Sequence, residues 1–469
     1  MLQRACPGIR PDATTSVRGE SDMRHPEART VRRQPEPQHL TADLCVVGSG
    51  AAGISAALEA DRLGQSVIVL DAAPQIGGQA VTSAIGTICG LYANGPRPGR
   101  VTHGVMDPML AELTGSGMAS ARRARNTLII DYSINGWMRW VERQVLASSI
   151  TPVTGAVLRD VTIRDGRIET LHAATRWGDL TVSARHFVDA SGDAVLAWLA
   201  GLDLNEADAP VHGTIMAVFE GVDTERAGQM PREVFHAAMK QRGTEFGLVR
   251  HDGFIFPLAE PGKVLANMTH IETPQDPVGL ARAGMAGRAQ VDGLLALFQS
   301  EFPEVFGKAQ VQTYGQPGIR QTRTINGRSR ITVAGVRAGT RPDDAVARCS
   351  WPIELHTQMA DTHWEVFGDD HMHWIPFGAM VPDGLHNVVT AGRCIDAEPA
   401  ALASVRVMGP CFAMGRAAAE ATMLAGSGSL HQIDVGALQA RLTDNLDGAP
   451  DDPWTASFVK ETGREADGA

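Results

Sequence analysis

Residues 43–73 read DLCVVGSGAAGISAALEADRLGQSVIVLDAA. LCVV is a short apolar run bounded by glycine, the form of a buried parallel strand. Gly48-Ser49-Gly50-Ala51-Ala52-Gly53 follows, a G-x-G-x-x-G pattern. From Ala51 to Leu63 the spacing predicts a helix with Ile54, Ala57, Leu58 and Leu63 on or near one face, stopped by Gly64. SVIVLD is a second parallel strand and ends on an acid, Asp71. The glycine pattern alone is a weak signal. Placed after a strand, opening a helix and followed by that acid, it marks a dinucleotide-binding unit. Gly48 permits the tight turn, Gly50 lets the backbone approach a pyrophosphate, and Gly53 lets helix and strand pack closely. The helix start, with Ala52 in its first turn, offers free N–H groups to the phosphates. Asp71 is expected to accept hydrogen bonds from the adenosine ribose.

The chain has 469 residues, which predicts two domains. It is 43% hydrophobic and 20% charged, an ordinary globular composition. A net charge of −11 argues against nucleic acid as a partner. No apolar run is long enough to cross a bilayer, so no membrane partner is expected. Six cysteines show no C-x-x-C spacing, which argues against a zinc site and a dithiol pair and favours reduced thiols in the cytoplasm. Residues 1–40 are rich in Arg, Pro, Ser and Glu, lack a secretory apolar stretch, and read as a disordered tail with order beginning at Asp43; 449–469 read as a flexible C-terminal tail.

The fold class expected is α/β: a Rossmann-like dinucleotide-binding domain, with a parallel sheet plus a β-meander, carrying an inserted α+β substrate domain. The dinucleotide-binding domain is placed at 41–211 and 385–448, and the substrate or cap domain at 212–384. WMRWVERQVLA (137–147) reads as an amphipathic helix. The stretch from Thr151 has turn signals at Asp165-Gly166 and Gly178-Asp179, predicting a small meander before the apolar strand in HFVDASGD. MAGRAQVDGLLALFQSEFP reads as a helix and YGQPGIRQTRTINGRSRITV as strands. NVVTAG is again a buried strand, and VGALQARLTDNL a closing helix.

Gly77-Gly78 comes six residues after Asp71. A second glycine turn so soon suggests backbone laid against the cofactor's far half. The chain then leaves the sheet instead of continuing into further βα units, and no second strand-linked G-x-G-x-x-G appears. This interrupted layout points to FAD.

Seven segments now carry a likeness: GSGAAG, IGGQAVTS, VDASGDAVLA, PGIRQTRTINGR, DDAVARCSWPIELH, IPFGAMVPDGLHNVVTAGRCIDA and SVRVMGPCFAMGRAAAEA. In this order, from about residue 43 to 445, the chain resembles the FAD-dependent oxidoreductases of the glutathione-reductase-like superfamily, in the group distantly related to fumarate reductase. The resemblance implies that Gly48, Gly50, Gly53 and Asp71 hold the ADP half of FAD. It places Gly77 and Gly78 near the pyrophosphate and ribityl, and Ala190, Ser191 and Gly192 beside the ADP half. It implies that Gly392 and Arg393 meet the pyrophosphate again. Arg393 departs from the Gly-Asp common among flavoproteins, and an arginine can pair directly with phosphate.

The helix expected from Gly409 or Pro410 is a candidate to face the flavin ring, with Met408 at its mouth in the cofactor set. Candidate catalytic residues are Arg406, His356, Arg323 and Cys349, with Arg320 and Cys89 also considered. Each has a plainer reading as an ion-pair, core or inert residue. Cys349 follows Arg348, which could lower its pKa; Cys89 could carry a covalent flavin link. His371 and His373 lack a third ligand at suitable spacing, so no metal is expected. Trp137 and Trp140 read as core. The function expected is two-electron dehydrogenation, or reduction, of a small carboxylate-bearing metabolite by hydride transfer to flavin. The alternatives are a flavin monooxygenase and a non-catalytic binding protein on the same fold. The expected partner is a small molecule. The residues leave the oligomeric state open, a homodimer included.

Overall fold

The computed structural model describes residues 28–30 and 36–448. The tail expected over 1–40 lies mostly outside these residues, as does the whole of the 449–469 tail. Order begins before Asp43: strand β1 spans Gln38–Val47. Its first five residues, Gln38–Ala42, pair with Leu180–Ala184. The opening residues of the strand are polar and partly exposed, so no apolar pattern announced them.

β1 runs into helix α1 (Ala51–Arg62) and β2 (Val67–Asp71), which returns parallel to β1. A helix, α2 (Ile134–Ala147), covers this unit and buries Trp137 and Trp140. Fully burying an aromatic or large aliphatic side chain contributes about 1.5–3 kcal/mol. Such residues therefore anchor the face on which α1 and α2 lie.

Beyond α2, β3 (Thr151–Thr154) pairs parallel with β2. It therefore belongs to the parallel sheet and not to the expected meander. The meander proper is β4 (Val157–Arg164), β5 (Arg167–Thr175) and β6 (Gly178–Asp189). β6 is twelve residues long. One edge pairs with β1 from Leu180 to Asp189. The other pairs antiparallel with β5 near its start and parallel with β11 (Val388–Thr390) at its end. One strand thus serves as both the last meander strand and the returning parallel strand. The result is a seven-stranded, mainly parallel α/β sheet that regains a strand from late in the chain.

Between these stretches lies an antiparallel sheet of four strands: β7 (Ala217–Glu220), β8 (Phe254–Pro257), β9 (Lys263–Asn267) and β10 (Gln310–Tyr314). Helix α3 (Pro277–Glu301) covers one face, burying Val291, Leu294 and Phe298 against Phe219 and Val264. The opposite face, with Met216, Val218, Phe256 and Leu265, packs on Ile85 and Ile134. The stretch 314–333, expected as strands, holds only Thr324–Ile325 as a strand beyond the end of β10. Its polar residues bond to several different segments, among them Arg320 to His212 and Gln321 to Pro399. The closing helix is two short helices, Val435–Arg441 and Thr443–Asp447.

Helix α4 (Pro399–Val405) and helix α5 (Met408–Ala425) follow β11. α5 is buried along most of its length and lies against α1. A Cβ on Gly415 would stand 2.1 Å from the Ala52 carbonyl oxygen. Ser55 donates from Oγ to the Phe412 carbonyl at 2.7 Å. The run of Ala and Gly in α5 therefore serves a close helix–helix approach. No helix among the described residues is long and apolar enough to cross a membrane.

Candidate active site

The glycine turn after β1 is packed to backbone contact. A Cβ on Gly53 would stand 1.9 Å from Gly48 O, and one on Gly48 would stand 2.4 Å from Ala190 O. Gly50 is the opposite case, since a Cβ there would meet nothing within 4 Å. The first turn of α1 has no side-chain cap. Open space beside uncapped N–H groups is what a pyrophosphate needs. Gly77 and Gly78 close over this turn. The Gly77 N–H donates to Ser49 Oγ at 3.2 Å. Ala52 is buried, its methyl group against Gly392 and its carbonyl against Gly415 of α5, so its side chain serves packing.

Asp71 sits at the end of β2, as expected. Its carboxylate accepts from the Ser49 N–H at 2.7 Å, from Ser49 Oγ at 2.5 Å and from the Ala73 N–H at 2.8 Å. It therefore braces the glycine turn, and only its remaining lone pairs are left for a ribose. Ser191 is likewise a brace. Its Oγ donates to Asp189 at 2.6 Å and accepts from the Asp193 and Val195 N–H groups. Asp189, absent from the sequence-derived set, organises this loop from full burial, and burial raises its pKa.

Gly192 lies beneath Arg393, whose Nη2 would be 2.4 Å from a Cβ there. Arg393 reaches Asp193 at 3.8 Å, while its Nη1 is buried without a partner. Gly392 faces Ala52 and Cys411. A buried guanidinium nitrogen left unpaired calls for an anion. The residues present thus fit FAD: the α1 start and Arg393 would hold its phosphates.

Met408 begins α5 and is buried, with Tyr132 Oη 4.0 Å from its sulfur. The Gly409 N–H donates to the Cys89 carbonyl at 2.9 Å. One donor of the helix start is therefore spent on the 89–90 turn and does not face a ligand.

Arg406 terminates α4. It donates from Nη2 to the Glu354 carbonyl at 3.4 Å, and its Nε is buried and unpaired. The Glu354 carboxylate meets His356 Nε2 at 3.0 Å. His356 is fully buried, and its Nδ1 lies 2.9 Å from His270 Nε2. His270 Nδ1 reaches the Met359 carbonyl at 2.8 Å. Burial, then the Arg320, Arg250 and Arg406 charges, hold His356 well below the usual imidazole range. Burial, with Arg250 and Arg320, pushes His270 down to about 2. Arg250 is itself buried, donating to Asp252 at 2.5 Å and Thr362 at 3.0 Å. Arg320 donates to the His212 carbonyl at 2.7 Å, and burial followed by the Arg250 and Arg406 charges lowers its pKa.

Arg406 and His356 are thus brought together through Glu354, with Arg320 beside them. Arg323 and Cys349 are placed differently. The Arg323 guanidinium stacks 4.2 Å over the Trp198 ring. Cys349 is fully buried with its sulfur against Ser404 O at 3.8 Å, and burial pushes its thiol up to about 12. Arg348 does not lower it, because that side chain turns to the Asp444 and Gly448 carbonyls. An enclosed neutral thiol is a poor nucleophile. Cys89 is half-buried, and burial, followed by the Glu354 charge, raises its thiol pKa. His371 and His373 bond to each other at 3.3 Å, and His373 bonds to Ser404 at 2.9 Å. Among the described residues no group of three His, Cys, Asp or Glu could hold a metal ion.

Arg250, His270 and Glu354 escaped the sequence reading. Glu354 alone had a local signal: it stands two residues before His356 at a strand end, so both side chains share a face.

The mainly parallel sheet, its meander and the glycine cradle define a dinucleotide-binding flavoenzyme. The family model described as FAD dependent oxidoreductase matches residues 43–442, and the chain belongs to that family. It is an FAD-dependent oxidoreductase. No curated protein matches the chain. Solved structures resemble it distantly. A geranylgeranyl bacteriochlorophyll reductase-like protein from Thermoplasma acidophilum is 11% identical, with 90% of this chain and 96% of that one covered and a TM-score of 0.44. Flavin-dependent brominase Bmp2 is 15% identical, with 86% and 83% covered and a TM-score of 0.44. PqsL, a probable FAD-dependent monooxygenase from Pseudomonas aeruginosa, is 13% identical, with 90% and 94% covered and a TM-score of 0.40.

Proposed function

We propose that the enzyme transfers two electrons between FAD and a small metabolite bearing a carboxylate. One observation carries this reading. Around Arg320 gather two further guanidiniums, Arg250 and Arg406, and two carboxylates, Asp252 and Glu354. With the histidines neutral, three positive charges face at most two negative ones. A partly desolvated excess of positive charge is best met by an anionic ligand. Asp252 already pairs with Arg250, which leaves Arg320 and Arg406 to bind and orient the carboxylate. The segment 212–384 supplies Arg320 and His356 and would act as the substrate-covering part, with residues from 385 onward supplying Arg406.

FAD, when bound, supplies hydride acceptance and donation. The protein's share is to hold the substrate, exclude water and move the accompanying proton. The Glu354–His356 pair stands where that proton would go. The working environment we propose is cytoplasmic, without nucleic-acid or membrane partners, in keeping with the acidic chain.

The test is anaerobic bleaching of the purified yellow protein against a panel of small carboxylic acids and their uncharged amides. Bleaching by an acid but not by its amide, without NAD(P)H, is expected. Bleaching by NAD(P)H alone would favour the monooxygenase reading and remove this one.

A further inference from the structure

Three hydrogen-bond links run in a line from the Glu354 carboxylate through His356 and His270 to the Met359 carbonyl. Their lengths are 3.0, 2.9 and 2.8 Å. Both ends are acceptors, because a carboxylate oxygen and a carbonyl oxygen carry no proton to give. Every link needs one proton. Two neutral imidazoles bring two protons, so the line is one proton short. Thr362 Oγ1 lies 3.2 Å from His356 Nδ1 but does not repair this, because it leaves the three links and the two ring protons unchanged.

We propose that Glu354, His356 and His270 form a proton relay that stores one proton, carried by the Glu354 carboxyl and given to or taken from the substrate. This rests on the reading above for placing Glu354 beside a substrate. In the stored state Glu354 donates to His356 Nε2, His356 donates from Nδ1 to His270 Nε2, and His270 donates from Nδ1 to Met359 O. All three links are then made and both rings are neutral. Neutral rings suit the surroundings, since Arg250, Arg320 and Arg406 all disfavour a ring cation and Asp252 is already engaged by Arg250.

The step balances. In substrate reduction a hydride equivalent supplied by reduced FAD forms the C–H bond, the O–H bond on Glu354 breaks, and an O–H or N–H bond forms on the substrate. Oxidation is the reverse and starts with Glu354 ionised: the C–H hydrogen leaves with its electron pair for FAD, and the substrate's O–H or N–H proton goes to the carboxylate. Glu354 is the acid–base group, while His356 and His270 position it.

The test uses the full-length, FAD-loaded protein with 15N-labelled histidine, with His270→Asn to assign resonances. It compares wild type with Glu354→Gln, whose amide can donate to His356 Nε2 but holds no transferable proton. We expect His356 protonated at Nδ1 in both proteins. We also expect the infrared absorption of a protonated carboxyl in wild type and its loss in Glu354→Gln. His356 protonated at Nε2 in wild type, or the lack of that absorption, would overturn the relay. Should the glutamine variant not fold, 13C-carboxyl-labelled glutamate in wild type reads the same proton. None of these measurements needs turnover, so a substrate that is not a carboxylate leaves this test intact.

Discussion

A Cβ placed on Gly78 would stand 2.5 Å from the Cα of Gly50, so the glycine turns that precede and follow β2 in the chain touch through their backbones. Gly78 also has φ +54 with ψ −148, a conformation that side-chain-bearing residues avoid. Gly78→Val therefore disrupts the cradle itself, at a cost of about 1–3 kcal/mol for the backbone alone. Gly50→Glu behaves differently. Its side chain enters open space, so the protein folds but carries bulk and negative charge where the pyrophosphate belongs. Thermal melting and flavin absorbance separate the two: Gly78→Val melts early, and Gly50→Glu is folded and colourless. A yellow Gly50→Glu protein would remove the α1 start from the phosphate site.

Arg393→Met keeps most of the packing over Gly192 and removes the unpaired guanidinium. A hydrogen bond to a charged group contributes about 1.5–3 kcal/mol, so FAD should bind at least about tenfold more weakly. Titration of the apoprotein with FAD measures this.

Arg406→Ala should retain FAD and lose flavin reduction by about a hundredfold, the usual scale for removing one preorganised donor. Anaerobic bleaching with the acid found in the panel is the assay. Unchanged bleaching would take Arg406 out of the substrate site.

Cys349→Ala should leave flavin content and bleaching rate within about twofold of wild type, because the thiol is enclosed and protonated. A large loss would restore Cys349 as a catalytic candidate.

Acid should destabilise the fold steeply. Burial holds three imidazoles low: His186 at about 4, His373 at about 3 and His270 at about 2. Each stays neutral in the native state while its unfolded counterpart binds a proton below about pH 6.5. Their contribution is fully present above that pH and is lost as pH falls toward the native values. The slope is about 1.4 kcal/mol per pH unit for each, or about 4 for the three together. Urea midpoints between pH 7 and 4.5 test it. His186→Gln should make the slope shallower, since His186 Nε2 holds Gly426 O while its Nδ1 is buried unpaired.

The strand, glycine turn and helix that open the fold were legible because their signals are local. The apolar run, glycine spacing, helix and Asp71 all lie within 43–73, and each acts on its immediate neighbours. Gly415 and the alanines of α5 were readable as a helix, but their reason, contact with Ala52, lies on a segment far away in the chain. β3 was misassigned to the meander because strand type is visible in a sequence while the partner that a strand pairs with is not. The stretch 314–333 looked like strands because polar residues bonding to scattered segments alternate much as edge-strand residues do.

The residues alone therefore determined the α/β class, the glycine turn between β1 and α1 and the helix that follows Arg406, since short-range geometry and glycine stereochemistry decide these; that the small residues before Arg406, read as a loop, form helix α4 was decided by packing. Tertiary structure decided which polar residues work together. Glu354, His356, His270, Arg250 and Arg320 come from separate segments, and only the packing of those segments brings them within hydrogen-bond or electrostatic reach. It also decided that Cys349 is enclosed and that Arg323 stacks on Trp198, because burial and partners belong to the folded chain as a whole.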